Sequence, residues 1–126
     1  MSQEISNPKI TDFKDLVAWQ KAHRLAVNIY KATEDFPKNE QFGLTNQIRR
    51  AAVSVSSNIA EGFGRRTKAD RAHFYDMARA SLHEVQAQLL IAKDVNFLPG
   101  LSYTELEARS VECHKILTGL INKTNE

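Results

Sequence analysis

Cysteine is almost missing from this chain: the lone Cys113 rules out an internal disulfide and gives no sign of an oxidising compartment. No apolar run approaches the ~18 residues that a membrane span requires. The start, MSQEISNPKITDF, is polar and carries no apolar signal segment, so a cytoplasmic address is the expectation. Also missing are a glycine-rich phosphate loop, a sustained strand alternation, a low-complexity tract and an internal repeat. What remains is an ordinary soluble composition, 42% hydrophobic and 25% charged, in 126 residues. That length suits one domain with a single core and no staples.

Helical periodicity dominates. From Phe13 to about Asp35, Trp19, Ala22, Ala26, Ile29, Tyr30 and Thr33 share a face, and Pro37 stops the element. A second helix is expected from about Gly43 to Glu61, with Leu44, Ile48, Ala52, Val55 and Ile59 as its stripe. The Val53-Ser54-Val55-Ser56 alternation is too short for a strand, and both flanks keep the helical period. Gly62 and Gly64 are expected to end this helix in the left-handed conformation. Thr67, with Asp70 three residues on, opens a third helix running to about Val95, roughly 42 Å long. Its inward face is read as Phe74, Met77, Ala78, Ser81, Val85, Leu89 and Ala92. After Pro99-Gly100, the Ser102-Tyr103-Thr104-Glu105 capping box predicts a fourth helix with Leu106, Ser110, Cys113, Leu117 and Leu120 inward. Gly119 predicts fraying near its end.

Four amphipathic helices with short linkers point to an all-α fold, an antiparallel up-down-up-down four-helix bundle. The bundle domain is placed at 13–121, flanked by flexible segments at 1–12 and 122–126.

The second helix is unusual in its small size on every side. From Ala51 to Asn58 no side chain is longer than valine or asparagine. Val53 and Ala60 point away from the core stripe, while Gln47, Ser54, Asn58 and Glu61 form a polar strip. A wet face would ordinarily carry lysine and glutamate. Small residues all round instead allow other backbones to approach closely, so the expectation is a homo-oligomer. Val53, Ser54, Ser57, Asn58, Ala60 and Glu61 are its candidate interface. Against this stands a plain bundle with a serine-rich solvated face. Glu61 needs a partner if buried, and Arg50 and Arg65 are the candidates.

Nothing assembles into a catalytic or metal-binding pattern. A carboxylate-bridged metal bundle needs paired Glu-x-x-His motifs, and the chain offers one Asp70-Arg71-Ala72-His73 at a helix entrance. Cys113 and His114 are adjacent, hence about 100° apart on a helix. Cys113 reads as a buried small hydrophobe, His23 as a packed ring, and His83 as pointing outward. The expectation is no enzyme, no cofactor, no metal and no small-molecule substrate.

Charge, by contrast, is gathered. Arg49, Arg50, Arg65, Arg66, Lys68 and Arg71 face only Glu61 and Asp70, a net +4 in a chain whose total is +2. Arginine suits phosphate through its forked donors. The start of the third helix offers free N–H groups, and Phe63 could stack on a base. The six cations are therefore the candidate nucleic-acid contacts. The bland alternative is solvated charge, with Phe63 plugging a bundle end and Arg49 and Arg50 making ion pairs at mid-bundle.

The strings Phe13-Lys14-Asp15-Leu16-Val17-Ala18-Trp19-Gln20-Lys21-Ala22, Phe36-Pro37, Gly43-Leu44-Thr45-Asn46-Gln47-Ile48-Arg49-Arg50-Ala51-Ala52 and Ser57-Asn58-Ile59-Ala60-Glu61-Gly62-Phe63-Gly64-Arg65 resemble one bacterial family. It is the four-helix-bundle family named for proteins encoded in 23S ribosomal RNA intervening sequences. The resemblance runs from about Phe13 to Asp94 and fades along the fourth helix. It implies an up-down-up-down bundle in a ring, typically a pentamer, without catalysis. Some relatives serve diversity-generating retroelements, where a basic surface of the ring contacts a reverse transcriptase and RNA. Arg49, Arg50, Arg65 and Arg66 match positions commonly basic in the family. Ser56 stands where relatives often carry proline, so a straighter second helix is expected.

Together these readings describe a scaffold or adaptor with RNA or a ribonucleoprotein as partner. The alternative is a protein-only interaction module whose arginines make intersubunit ion pairs.

Overall fold

The computed structural model describes residues 10–126, so most of the 1–12 segment expected to be flexible lies outside the described residues. The Asp12 carboxylate accepts the Lys14 amide at 3.0 Å and opens a 3₁₀ turn, Phe13–Asp15. Leu16 is extended and separates this turn from helix α1, Val17–Thr33. The first helix thus begins later than its periodicity suggested. Phe13 still packs edge-on against Trp19, ring centres 5.1 Å apart, which folds the turn back onto α1.

The buried face of α1 is Ala18, Ala22, Leu25, Ala26, Ile29 and Thr33. Thr33 tolerates burial because its hydroxyl donates to the Ile29 carbonyl at 2.8 Å. Trp19 is only half-buried and Tyr30 is exposed, so the stripe lies slightly round the helix from the expected one. After Pro37 a 3₁₀ turn, Lys38–Glu40, leads to helix α2, Leu44–Phe63. The valine–serine alternation is helical. Ile48, Ala52, Val55 and Ile59 are fully buried, as their spacing required.

The two glycines behave differently from expectation. Gly64 caps α2 with φ −81° and ψ −5°, an ordinary right-handed conformation. Gly62 lies inside the helix, buried. A Cβ there would sit 2.7 Å from Tyr75 Cε1 and 3.1 Å from Phe74 Cβ. Glycine is present for close approach of the next helix, not for backbone freedom.

Helix α3, Lys68–Asp94, starts where its cap predicted: the Thr67 hydroxyl accepts the Asp70 amide at 3.1 Å. Its core residues are Tyr75, Ala78, Leu82, Val85, Gln88, Leu89 and Ala92. Phe74 and Ser81 are half-buried and Met77 is exposed, which rotates the expected face by about one residue. The helix ends in a Schellman motif: Phe97 N–H donates to Ala92 O at 2.9 Å and Asn96 N–H to Lys93 O at 3.0 Å. Asn96 carries the left-handed conformation, φ 65°, that this motif demands.

Helix α4 spans Gly100–Thr124 with Pro99 as its cap and no capping side chain. The Ser102 capping box does not form. Ser102 is already within the helix, because proline supplies the extended residue three positions sooner. The helix continues past Gly119, which has no neighbour within 4 Å at its Cβ position.

Each helix packs on two others, α1 on α2, α2 on α3, α3 on α4 and α4 on α1, with the diagonal pairs apart. This is a four-helix arrangement with no strand among the described residues. Along α3 and α4 the partners fall in opposite order: Arg79 meets Thr118, His83 meets His114, and Gln86 meets Ser110. Leu82, Leu89 and Leu117 are almost wholly enclosed, and truncating such a leucine to alanine costs about 2–5 kcal/mol. Phe36 and Phe97, centres 5.8 Å apart, close one end.

Candidate nucleic-acid interface and assembly face

The structure divides the six candidate cations. Arg49 and Arg50 lie in the second turn of α2, while Arg65, Arg66, Lys68 and Arg71 surround its far end. Arg49 and the end of α2 are about 21 Å apart along the helix. They do not form one patch.

Arg49 is spent on α1. Its Nε donates to the Thr33 hydroxyl at 2.8 Å and its Nη2 to the Tyr30 carbonyl at 3.2 Å. Its guanidinium also lies 4.6 Å from the Tyr30 ring centre. The last turn of a helix attracts cations and leaves carbonyls open, and Arg49 serves both needs. Arg50 is exposed, beside Gln47, Ser54 and Glu84 in a shallow recess between α2 and α3.

The α2 to α3 turn is where charge gathers. Arg65 pairs with Glu61 at 2.8 Å and lies over the Phe74 ring at 4.5 Å. Of the two partners proposed for Glu61, the structure selects Arg65, in an exposed pair. Arg71 Nε donates to the Arg65 carbonyl at 2.7 Å. These contacts hold the turn in shape. Arg66 and Lys68 point into solvent, and among the described residues neither has an ion-pair partner. Phe63, the last residue of α2, is half-buried. With Glu61 and Asp70 counted, the turn keeps a net +2.

The small residues of α2 form two stripes. Ala51, Ser54, Asn58 and Gly62 face α3: the Ser54 and Ser81 hydroxyls are 2.9 Å apart, and Asn58 Nδ2 donates to Ser54 O at 2.9 Å and Ser54 Oγ at 3.0 Å. Ser54 and Asn58 therefore serve contacts inside the bundle. Val53, Ser57, Ala60 and Glu61 lie on the outer side, with Val53 41% exposed. Ser57, Ala60, Glu61, Gly64 and Arg65 line a hollow there. A second groove runs between α1 and α2 along Ala26, Val27, Tyr30, Val53 and Ser56.

The remaining chemistry is sparse. Cys113 is buried, and burial, reinforced by Glu112, pushes its thiol up to about 12; such a thiol is inert at neutral pH. His23 stacks on Trp19, centres 4.8 Å apart. His73 packs edge-on against Phe74. No group of three or more histidine, cysteine or acidic side chains converges among the described residues. One pair escaped the sequence reading: His83 Nε2 lies 3.2 Å from His114 Nε2, bridging α3 and α4. The partners are 31 residues apart, and nothing local signals them.

A model of the 23S rRNA-intervening sequence protein family matches residues 14–119. The chain belongs to this family. The match reaches well into α4, beyond the point near Asp94 where the motif resemblance fades. Among solved structures, a protein of unknown function from the S23 ribosomal protein family of Bacteroides thetaiotaomicron superposes with a TM-score of 0.75 at 24% identity. The alignment covers 83% of this intervening-sequence protein and 98% of that chain, and it establishes a shared fold. None of the curated proteins matches. Among the described residues no helix is long and apolar enough to cross a membrane.

Proposed function

We propose that this intervening-sequence protein is a non-enzymatic, cytoplasmic scaffold that assembles with copies of itself and holds RNA or a ribonucleoprotein. In this reading the helices alternate up-down-up-down throughout, and the outer stripe of α2 meets a neighbouring copy in a ring, a pentamer by the family resemblance. The α2 to α3 turn faces the nucleic acid.

The observation that carries the RNA reading is the division of labour at that turn. Arg65 and Arg71 are tied into the chain, and Arg66 and Lys68, without an ion-pair partner among the described residues, stand on a shaped support. Phosphate binding favours such cations, whose geometry is set by neighbours and whose charge is not already paired. The adjacent start of α3 adds a favourable dipole.

The test is binding of single-stranded RNA across a salt series. With the two unpaired cations engaged per chain, log affinity falls against log salt with a slope of about −1.4. Arg66→Glu with Lys68→Glu removes most of the binding and flattens the slope while the assembly stays intact. Dissociation of the assembly by the same change would instead favour the protein-only reading, with these cations at subunit contacts. No RNA binding at low salt would end the nucleic-acid reading outright.

A further inference from the structure

His83 in α3 and His114 in α4 present their Nε2 atoms to each other at 3.2 Å, with ring centres 5.1 Å apart and planes 29° from parallel. The contact is a hydrogen bond between the two rings, its donor set by the tautomer, and its distances also fit two rings aimed at a common point. A straight end-to-end arrangement would hold the centres further apart, and a face-to-face stack would bring them as close as the nitrogens. The observed values match two rings whose Nε2 atoms converge on one point. A tetrahedral ion about 2.0–2.1 Å from each nitrogen separates the nitrogens by about 3.3 Å and the ring centres by about 5.2 Å.

We propose that His83 and His114 form a bidentate site for a late first-row divalent ion, zinc above all, clamping α3 to α4. Two imidazoles suit zinc, copper(II) and nickel rather than magnesium or calcium, and water completes the coordination. His83 is exposed, so the ion has an open path, while His114 is half-buried and holds its position. Burial, then His83, then Arg79 keep His114 below the ordinary histidine range, so at neutral pH it is the uncharged ring that a metal needs.

The surroundings bear on strength. Arg79, one turn before His83, opposes a dication, but its Nη2 donates to Asp76 at 3.3 Å and its Nη1 to Thr118 at 3.4 Å. Gln86 and Ser110 are hydrogen-bonded to each other one turn on, at 3.2 Å, and place no further charge there. With two protein ligands and a nearby cation, affinity in the micromolar range is expected, weaker than a four-ligand structural site. The site does not rest on the nucleic-acid reading.

The test is titration of the untagged, chelator-stripped protein with Zn²⁺ alone, followed by calorimetry and by thermal unfolding. One ion per chain and a raised unfolding temperature are expected. His83→Asn and His114→Asn should each weaken binding at least tenfold, while His73→Asn leaves it unchanged. Since His83 is exposed, its variant folds even where the His114 change perturbs the interface. Lowering the pH should release the ion, since protons compete with it for the ring nitrogens. No saturable binding by the wild type, or binding undiminished in both variants, overturns the site.

Discussion

At the residue scale, Gly62 and Gly64 show how one residue type does two jobs two positions apart. Tyr75 occupies the space where a Gly62 side chain would be, so Gly62→Ala forces α2 and α3 apart or displaces the ring. The expected cost is about 1–3 kcal/mol, read by urea denaturation. Gly64 has an ordinary φ, and its Cβ position lies 3.6 Å from the nearest atom. Gly64→Ala should therefore be neutral or stabilise by about 0.4–1 kcal/mol, chiefly by restricting the unfolded chain. Equal losses at both positions would contradict this division. His114 supplies a second residue-scale outcome. Its folded form resists protonation, whereas the unfolded chain takes up a proton below the usual value of 6.5. Stability present above that pH is thus lost as the pH falls through the folded value. Metal-free denaturation across this range should show the decline, and His114→Gln should lessen it.

At the element scale, the contact of α1 with α2 depends on Arg49. The guanidinium ties the last turn of α1 to the second turn of α2 through Thr33, the Tyr30 carbonyl and the Tyr30 ring. Arg49→Ala should cost about 1–3 kcal/mol in unfolding experiments, since it strands polar partners as well as losing charge-assisted bonds. It should leave the RNA salt slope unchanged, because Arg49 is far along α2 from the turn. An altered slope with unaltered stability would reverse that assignment. This role illustrates which parts of the molecule the sequence exposes. The stripe Ile48, Ala52, Val55 and Ile59 was legible because one face meets a core and the period is clean. The Thr67 cap was legible because its chemistry is local. The inward face of α3 was read one residue off, since α2 and α4 flank it on two sides. Ser81, polar in sequence, meets Ser54 across one of them. The start of α4 was misplaced because a strong local motif at Ser102 lost to Pro99. The Arg49 anchor and the paired histidines depend on tertiary proximity, which no local pattern records.

At the scale of the whole molecule, the small residues of α2 fall on two sides, one packed against α3 and one facing outward. Its inner small stripe explains why α3 packs so closely, with Ser54 and Asn58 satisfied inside the chain. That accounts for half of the small residues without any partner. Val53, Ser57 and Ala60 are left over, on a shallow outer face bordered by the Glu61–Arg65 ion pair. In the proposed ring a second copy would cover them, and the basic turn at the end of the same helix would recur around it. Repeated cations gain avidity for one strand without new contacts in any single chain. The measurement that tests this most directly is sedimentation equilibrium of the full chain at micromolar concentration. A mass that is a whole multiple of 14.2 kDa, reduced to the single value by Ala60→Glu, is the predicted result. A native chain that sediments at 14.2 kDa alone contradicts it.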